Sequence, residues 1–266
     1  MKMRMALSAG VYLWFLILIL IPAITMVEGA LSHGVNGFFA QVLQPEAVSA
    51  LRLSFLITAL TLLINLPLGV ITALLIARRS FPGWQVVNAV VDLPFALSPV
   101  IAGLALLLVY GPNTLLGAFL QNHGVKVMFA LPGMVLATLL VTFPLVVREL
   151  VPLLRQLGLR QEEAAWTLGA SAWRTFWLVT LPRIRFGLGY SAVLTIARAL
   201  GEFGAVLVVS GNLVGVTQTA TLYVYQATEN NDLQAADAVS TVLALVSFVI
   251  LILMQVFKGR GEGRIS

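Results

Sequence analysis

The sequence predicts an all-α integral membrane protein that crosses the bilayer six times. Three observations predict it. Of the 266 residues, 59% are hydrophobic and 10% are charged, against about 25% charged in an ordinary soluble domain. The mean hydropathy is +0.98, which is more apolar surface than one soluble domain of this length keeps from water. The apolar residues also lie in runs of the length a bilayer needs, about 20 residues each, without the alternation of an outer-membrane barrel strand. These features argue against a soluble enzyme, a nucleic-acid binder and a disordered chain.

The elements follow in order, within a single transmembrane domain over 1–266. The first span is Ala6 to Val27, behind Met1-Lys2-Met3-Arg4. That start resembles a signal peptide, but no small-residue cleavage site follows it. A retained helix acting as its own insertion signal is expected. The second span is Leu53 to Ala77. The third, placed at 84–110, lies in a stretch from Phe81 to Tyr110 broken only by Asp92. Asp92 is expected to cap or break that helix before Pro94. The fourth is Val127 to Val147. The fifth, placed at 187–210 after Phe186, contains Arg198 and Glu202, and the sixth is Ala238 to Phe257. Prolines 22, 67, 94, 99 and 144 fall within or near spans, where each removes a backbone donor and can bend its helix.

Charge sets the orientation. Lys2, Arg4, Arg78, Arg79, Arg148, Arg155, Arg160, Arg174, Arg183, Arg185, Lys258, Arg260 and Arg264 share one side, 13 of the 16 cations. The positive-inside rule then puts both termini on the cytoplasmic side. Lys126 and Arg52 fall opposite, and a small segment from Glu28 to Glu46 lies outside. The net charge of +5 therefore reports topology rather than nucleic-acid binding. With no cysteine and two distant histidines, His33 and His123, no thiol-ligated or His-rich metal site is expected.

Energy coupling has no motif here. A phosphate-cradling loop needs G-x-x-x-x-G-K-[ST], yet no glycine precedes Lys2, Lys126 or Lys258. If ATP drives the protein, another chain hydrolyses it, and no catalytic residue is expected in this one. The longest polar interval, Arg148 to Arg185, has 38 residues with six Arg and three Glu. It is too short for a catalytic domain and too patterned for a linker. Within it, Glu162-Glu163-Ala164-Ala165-Trp166-Thr167-Leu168-Gly169 reads as a short helix with acid in its first turn, which suits the helix dipole. Gly169 permits a sharp turn, and Leu181-Pro182 opens the approach to the next span. Such a surface knob suits docking into a soluble subunit; an amphipathic helix resting on lipid headgroups is the alternative.

The pattern of Glu163, Ala164, Ala165, Gly169, Leu181 and Pro182 resembles the signature loop of bacterial ABC importer permeases, with Val179 where that family usually has Ile. The resemblance implies the six-span type I importer fold, with this loop forming a cytoplasmic coupling helix that inserts into an ATPase subunit. Ala197-Arg198-Ala199-Leu200-Gly201-Glu202-Phe203-Gly204-Ala205 with Val209-Ser210-Gly211-Asn212 is similar to the oxyanion-importer permeases. Asp92 to Leu104, the segment from His123 to Gly133, and Thr142-Phe143-Pro144 with Arg148-Glu149-Leu150 resemble the sulfate/thiosulfate branch, CysW-type subunits above all. One departure is Ala220-Thr221-Leu222-Tyr223-Val224-Tyr225, where that branch has a T-L-P-L-like run. The resemblance implies a CysT-type second permease in a heterodimer, two CysA-type ATPase subunits and an external sulfate/thiosulfate-binding protein. It implies no cofactor in this chain, with ATP and Mg held by the ATPase, and no nucleic-acid partner.

Arg198 and Glu202 carry the remaining chemistry. An ionisable side chain inside a membrane faces protein or water and has a partner. The two stand four apart on one helix face, in a stripe with Ser191 and Thr195. Arg198 lies about 16 Å along a helix starting near Gly187. Two roles compete: a latch between helices at the permease–permease interface, or positive potential along an anion path. Ser98, Thr142, Ser210 and Asn212 are further path candidates. Ser54, Thr58, Thr61 and Asn65 form a polar stripe on the second span, and Thr138 and Thr142 a shorter one on the fourth; interhelical hydrogen bonds are the expected use. The other readings are a homodimeric molybdate/tungstate permease, a secondary transporter or channel using Arg198, Glu202 and Asp92 as a proton relay, and a structural anchor subunit.

Overall fold

The computed structural model describes residues 10–78 and 82–262. Ala6, at the start of the first span, Lys2, Arg4, Arg79 and Arg264 of the charge tally, and Phe81 lie outside the described residues. The described residues form α1 (Gly10–Ala30), α2 (Gly34–Val42), α3 (Pro45–Arg78), α4 (Trp84–Ala96), α5 (Pro99–Tyr110) and α6 (Leu115–Asn122). They continue with α7 (Leu131–Leu157), α8 (Arg160–Thr167), α9 (Ala172–Leu200), α10 (Gly204–Ser210), α11 (Ala220–Glu229) and α12 (Leu233–Glu262).

Helix α7 is the axis of the bundle. Val146, Val147, Leu150 and Leu154 are fully buried along it, packed with Val70, Ala73 and Ile76 of α3 and Ile184 of α9. Toward its start, Met134, Ala137 and Val141 meet Ile57 of α3 and Val206 and Val209 of α10. Small residues set the approach. A Cβ on Gly69 would come within 2.5 Å of the Val146 side chain, so α3 and α7 touch at backbone distance there, as packed membrane helices do. Helix α1 is different: its apolar window is 0% buried within the chain, and its end rests on α12, where Gly29 faces Asp237.

Two apolar stretches are not continuous spans. The third is split at Leu97–Ser98, where both residues are extended, and α4 and α5 bend by 115°. The fifth is split at Gly201–Phe203, with α9 and α10 bent by 57°. Among the described residues four helices are long and apolar enough to cross a membrane, and counting each bent pair as one more gives up to six crossings. Asp92 does not break its helix: α4 runs through Asp92 and Pro94 to Ala96. The break falls instead before Pro99, which starts α5 with the fixed φ that suits a first helical position.

Prolines within helices have a second local effect. Leu16–Leu20 and Phe176–Thr180 are π-helical, and each stretch is followed two residues later by a proline, Pro22 and Pro182. Proline has no N–H to return to the preceding turn, and widening that turn relieves the clash with its ring. The long polar interval is also shorter than its composition suggests. Helix α7 stays intact through Arg148 and Arg155, and α9 already contains Arg183 and Arg185. Likewise Arg52 lies inside α3, and α2 lies within the Glu28 to Glu46 segment.

Candidate functional site

The loop between α7 and α9 builds a projecting element from a few local rules. Glu162 and Glu163 lie in the first turn of α8, where acid complements the dipole. The helix ends in a paired stop. Gly169 adopts φ +83° and donates its N–H to the Trp166 carbonyl at 2.9 Å, while the Ala170 N–H reaches the Ala165 carbonyl at 3.0 Å. This is the Schellman arrangement, which places glycine four residues after Ala165 because only glycine takes that φ freely. The Ser171 side chain then caps the start of α9 by accepting the Arg174 N–H.

The two adjacent glutamates part company. Glu163 is exposed. Glu162 is buried, and its Oε1 lies 2.8 Å from Nη2 of Arg78 and 3.0 Å from the donating hydroxyl of Thr180. Sequence reasoning chose Glu163 and missed Glu162; the signal that could have found it is Arg78, the cation that ends the second apolar run. Around Gly169 the surface is apolar and, among the described residues, unpartnered. Leu168 is 88% exposed, Trp173 72% and Leu178 68%. Together with Ala165, Gly169 and Arg174, Leu168 and Leu178 edge a groove of about 240 Å³. Among the expected coupling residues, Ala164 and Pro182 are exposed while Ala165 and Leu181 are half-buried. Leu181 and Pro182 sit at the far side of α9's π-turn, away from Glu163 and Gly169 in sequence but joined to them through the Glu162–Thr180 bond.

A second cluster gathers at the two helix breaks, which pack on each other. A Cβ on Gly204 would stand 3.1 Å from Pro99 and 3.3 Å from the Val100 backbone nitrogen, and one on Gly103 would stand 2.6 Å from the Ala205 carbonyl. Ser98 is exposed at this junction and makes no side-chain cap bond to α5. Arg198 stands in the last turn of α9, with Nη1 2.8 Å from Oε2 of Glu202. The Arg198 side chain is 39% exposed and that of Glu202 only 2%. Glu202 also accepts the Ala205 N–H through Oε1 at 2.9 Å, so one carboxylate caps α10 and orients the arginine. Its backbone carbonyl takes the hydroxyl of Thr221, which fixes the break from α11 as well.

The other path candidates separate. Thr142 is fully buried between helices: it accepts from Nδ2 of Asn65 at 3.0 Å and donates to the Thr138 carbonyl. Ser54 caps α11 by accepting the Ala220 N–H at 2.8 Å. Ser54 and Asn65 thus make the interhelical bonds expected of the polar stripe. Ser210 is buried and accepts the Asn212 N–H, while Asn212, in the left-handed region at φ +48°, donates to Gln226. Neither lies at the break junction. Asp92 is paired with Arg148 rather than standing alone.

Residues 65–265 match the family described as the binding-protein-dependent transport system inner membrane component. The chain belongs to this family. It is 41% identical over 259 residues to the sulfate transport system permease protein CysW of Synechocystis sp., covering 97% of this chain and 94% of that one. It is 40% identical to CysW of Escherichia coli (strain K12), covering 94% and 89%. The solved bacterial alginate ABC transporter in complex with an alginate pentasaccharide-bound periplasmic protein has a similar chain, with TM-score 0.79 at 19% identity, covering 95% of this chain and 92% of that one. That likeness is one of fold. The chain is thus a multi-pass inner-membrane permease of the ABC importer type.

Proposed function

We propose that this permease carries sulfate or thiosulfate into a bacterial cell as one half of a heterodimer. The observation that carries the reading is the half-exposed Arg198, held by a buried carboxylate where two helix breaks meet. An anion path wants a cation that is fixed in place yet only partly committed, so that binding stays weak enough to release. Arg198 meets this: Glu202 takes one face of the guanidinium, and the rest remains available. Ser98 at the α5 start adds a hydroxyl beside a helix N-terminus, whose dipole also favours an anion. The identity to proteins named sulfate permeases supports sulfate over molybdate. The intrachain cap made by Glu202 supports a positioning role over an interface latch for that residue, and the pairing of Glu202 with Arg198 and of Asp92 with Arg148 argues against a proton relay through these two acids.

The partners in this reading are a CysT-type permease, two CysA-type ATPase subunits that bind ATP and Mg, and an external sulfate/thiosulfate-binding protein. Both termini lie in the cytoplasm, with α8 and the surface around Leu168 and Trp173 facing the ATPase. Glu163, Ala164, Ala165 and Gly169 form the docked face; Leu181 and Pro182 join it to α9. ATP-driven closure of the ATPase pushes α8, and the helix bundle rocks between outward and inward states. The anion is tested by competition. Labelled-sulfate uptake into vesicles with the full assembly is expected to fall in excess thiosulfate and to persist in excess molybdate. Uptake that follows molybdate instead would move the protein to the molybdate/tungstate branch.

A further inference from the structure

We propose that Glu162, not the neighbouring Glu163, is the positioning residue that makes the coupling helix and the membrane helices move as one body. This rests on the coupling role given to α8 above.

One carboxylate oxygen of Glu162 joins three elements: the first turn of α8, the last residue of α3 (Arg78) and the turn that leads into the membrane part of α9 (Thr180). The side chains of Arg78 and Glu162 are only 11% and 6% exposed, so water competes little for the pair. Two helix dipoles add to it. Glu162 sits at the positive end of α8, and Arg78 at the negative end of α3. Removing one partner would leave the other charge buried and uncompensated, the worst of the possible states. Next to the pair lies a cleft of about 560 Å³, lined by Leu74, Leu159, Trp166 and Phe176 among others. Apolar packing between α8 and α3 is therefore incomplete here; the ion pair supplies a direct link between them, and the hydroxyl bond ties α8 to α9.

The mechanical consequence follows from the packing beyond Arg78. Helix α3 lies against α7 at Gly69 and Val146, and the first part of α9 lies against α7 at Gly187 and Leu153. A push on α8 that keeps Glu162 bonded moves α3 and α9 together, and α7 with them. A push on α8 without the bond is absorbed in the cleft. Among the described residues the exposed Glu163 has no such connection to the membrane helices.

The test uses the assembled complex in vesicles and reads ATP hydrolysed per sulfate taken up. Glu162→Gln is expected to assemble and hydrolyse ATP within about twofold of wild type, while uptake falls at least tenfold. The charge-swapped pair Glu162→Arg with Arg78→Glu is expected to recover at least threefold over Glu162→Gln. Because the chain has no cysteine, a second test replaces both Arg78 and Glu162 by cysteine and bridges them with a short bifunctional thiol reagent. Bridging should raise uptake above the unbridged protein. An unchanged ratio of ATP to sulfate in Glu162→Gln, an equal loss of uptake and hydrolysis, or bridging that blocks transport would overturn the proposal. Uptake by the wild-type complex without ATP would instead overturn the coupling role on which it rests.

Discussion

Arg148 of α7 holds two residues of α4 at once. Its guanidinium pairs with the Asp92 carboxylate, and it also donates to the side chain of Asn88 at 3.0 Å and to the Asn88 carbonyl at 2.9 Å. This pairing answers the acid inside the third apolar stretch and pins α4, the first arm of a helix pair bent by 115°. Both side chains are partly exposed, so the pair resembles a surface ion pair in strength, about 0.5–1 kcal/mol. Asp92→Asn and Arg148→Gln should each lower the thermal midpoint in detergent. The double change should cost less than the sum of the two. Strict additivity would show that the two side chains do not stabilise each other.

Arg198 and Glu202 give an asymmetric expectation. Neutralising Arg198 alone strands a carboxylate that is almost completely buried, whereas neutralising both removes the stranded charge. Arg198→Gln should therefore lower the unfolding midpoint more than Arg198→Gln with Glu202→Gln, while both lose uptake alike because each lacks the cation on the anion path. Glu202→Ala should be less stable than Glu202→Gln by about 1 kcal/mol, because it also loses the cap on the Ala205 N–H. Uptake measured beside thermal unfolding separates the two effects. Uptake that recovers in the double variant would instead make Arg198 a structural latch and take it off the anion path.

At Gly169 the obstacle to substitution is backbone conformation rather than crowding. Its φ is +83°, and a Cβ there would meet nothing within 4 Å. Gly169→Asn should be tolerated better than Gly169→Ala, since asparagine visits the left-handed region more readily, and alanine should cost about 1–2 kcal/mol of the local turn. A bulky residue adds interference with the docking face. Co-purification of the ATPase subunit should fall in the order Gly, Asn, Ala, Trp. Equal recovery from all four would remove α8 from the interface.

Two tight interhelical glycine contacts differ in what could relieve them. At Gly69 the obstacle is the Val146 side chain at 2.5 Å; at Gly103 it is the Ala205 backbone carbonyl at 2.6 Å. Each alanine substitution should destabilise by about 1–3 kcal/mol through overpacking. Val146→Ala should rescue Gly69→Ala in part. No side-chain change on α10 should rescue Gly103→Ala, and the measurement is the unfolding midpoint of the purified permease.

What was legible in the sequence was set by chemistry that acts locally. The apolar runs mark helices, the Glu163 to Gly169 spacing marks a helix with its stop, and Ser54 and Asn65 form the interhelical bonds their spacing suggests. What was not legible depends on contacts between distant residues. Hydropathy is blind to direction, so the bends at Leu97–Ser98 and Gly201–Phe203 are invisible within their apolar stretches. Arg148 reads as a loop cation until its partner, 56 positions away, is seen. Glu162 and Glu163 are identical in type and adjacent, and only the fold decides which one Arg78 meets.

The central claim is that this chain couples ATP hydrolysis elsewhere to sulfate movement through itself. The most direct measurement is labelled-sulfate uptake into vesicles that hold this permease, its partner permease, the ATPase subunits and the binding protein, with ATP and without. ATP-dependent uptake that disappears when either permease is omitted is the predicted result. Uptake without ATP, or undiminished uptake when this chain is left out, would contradict it.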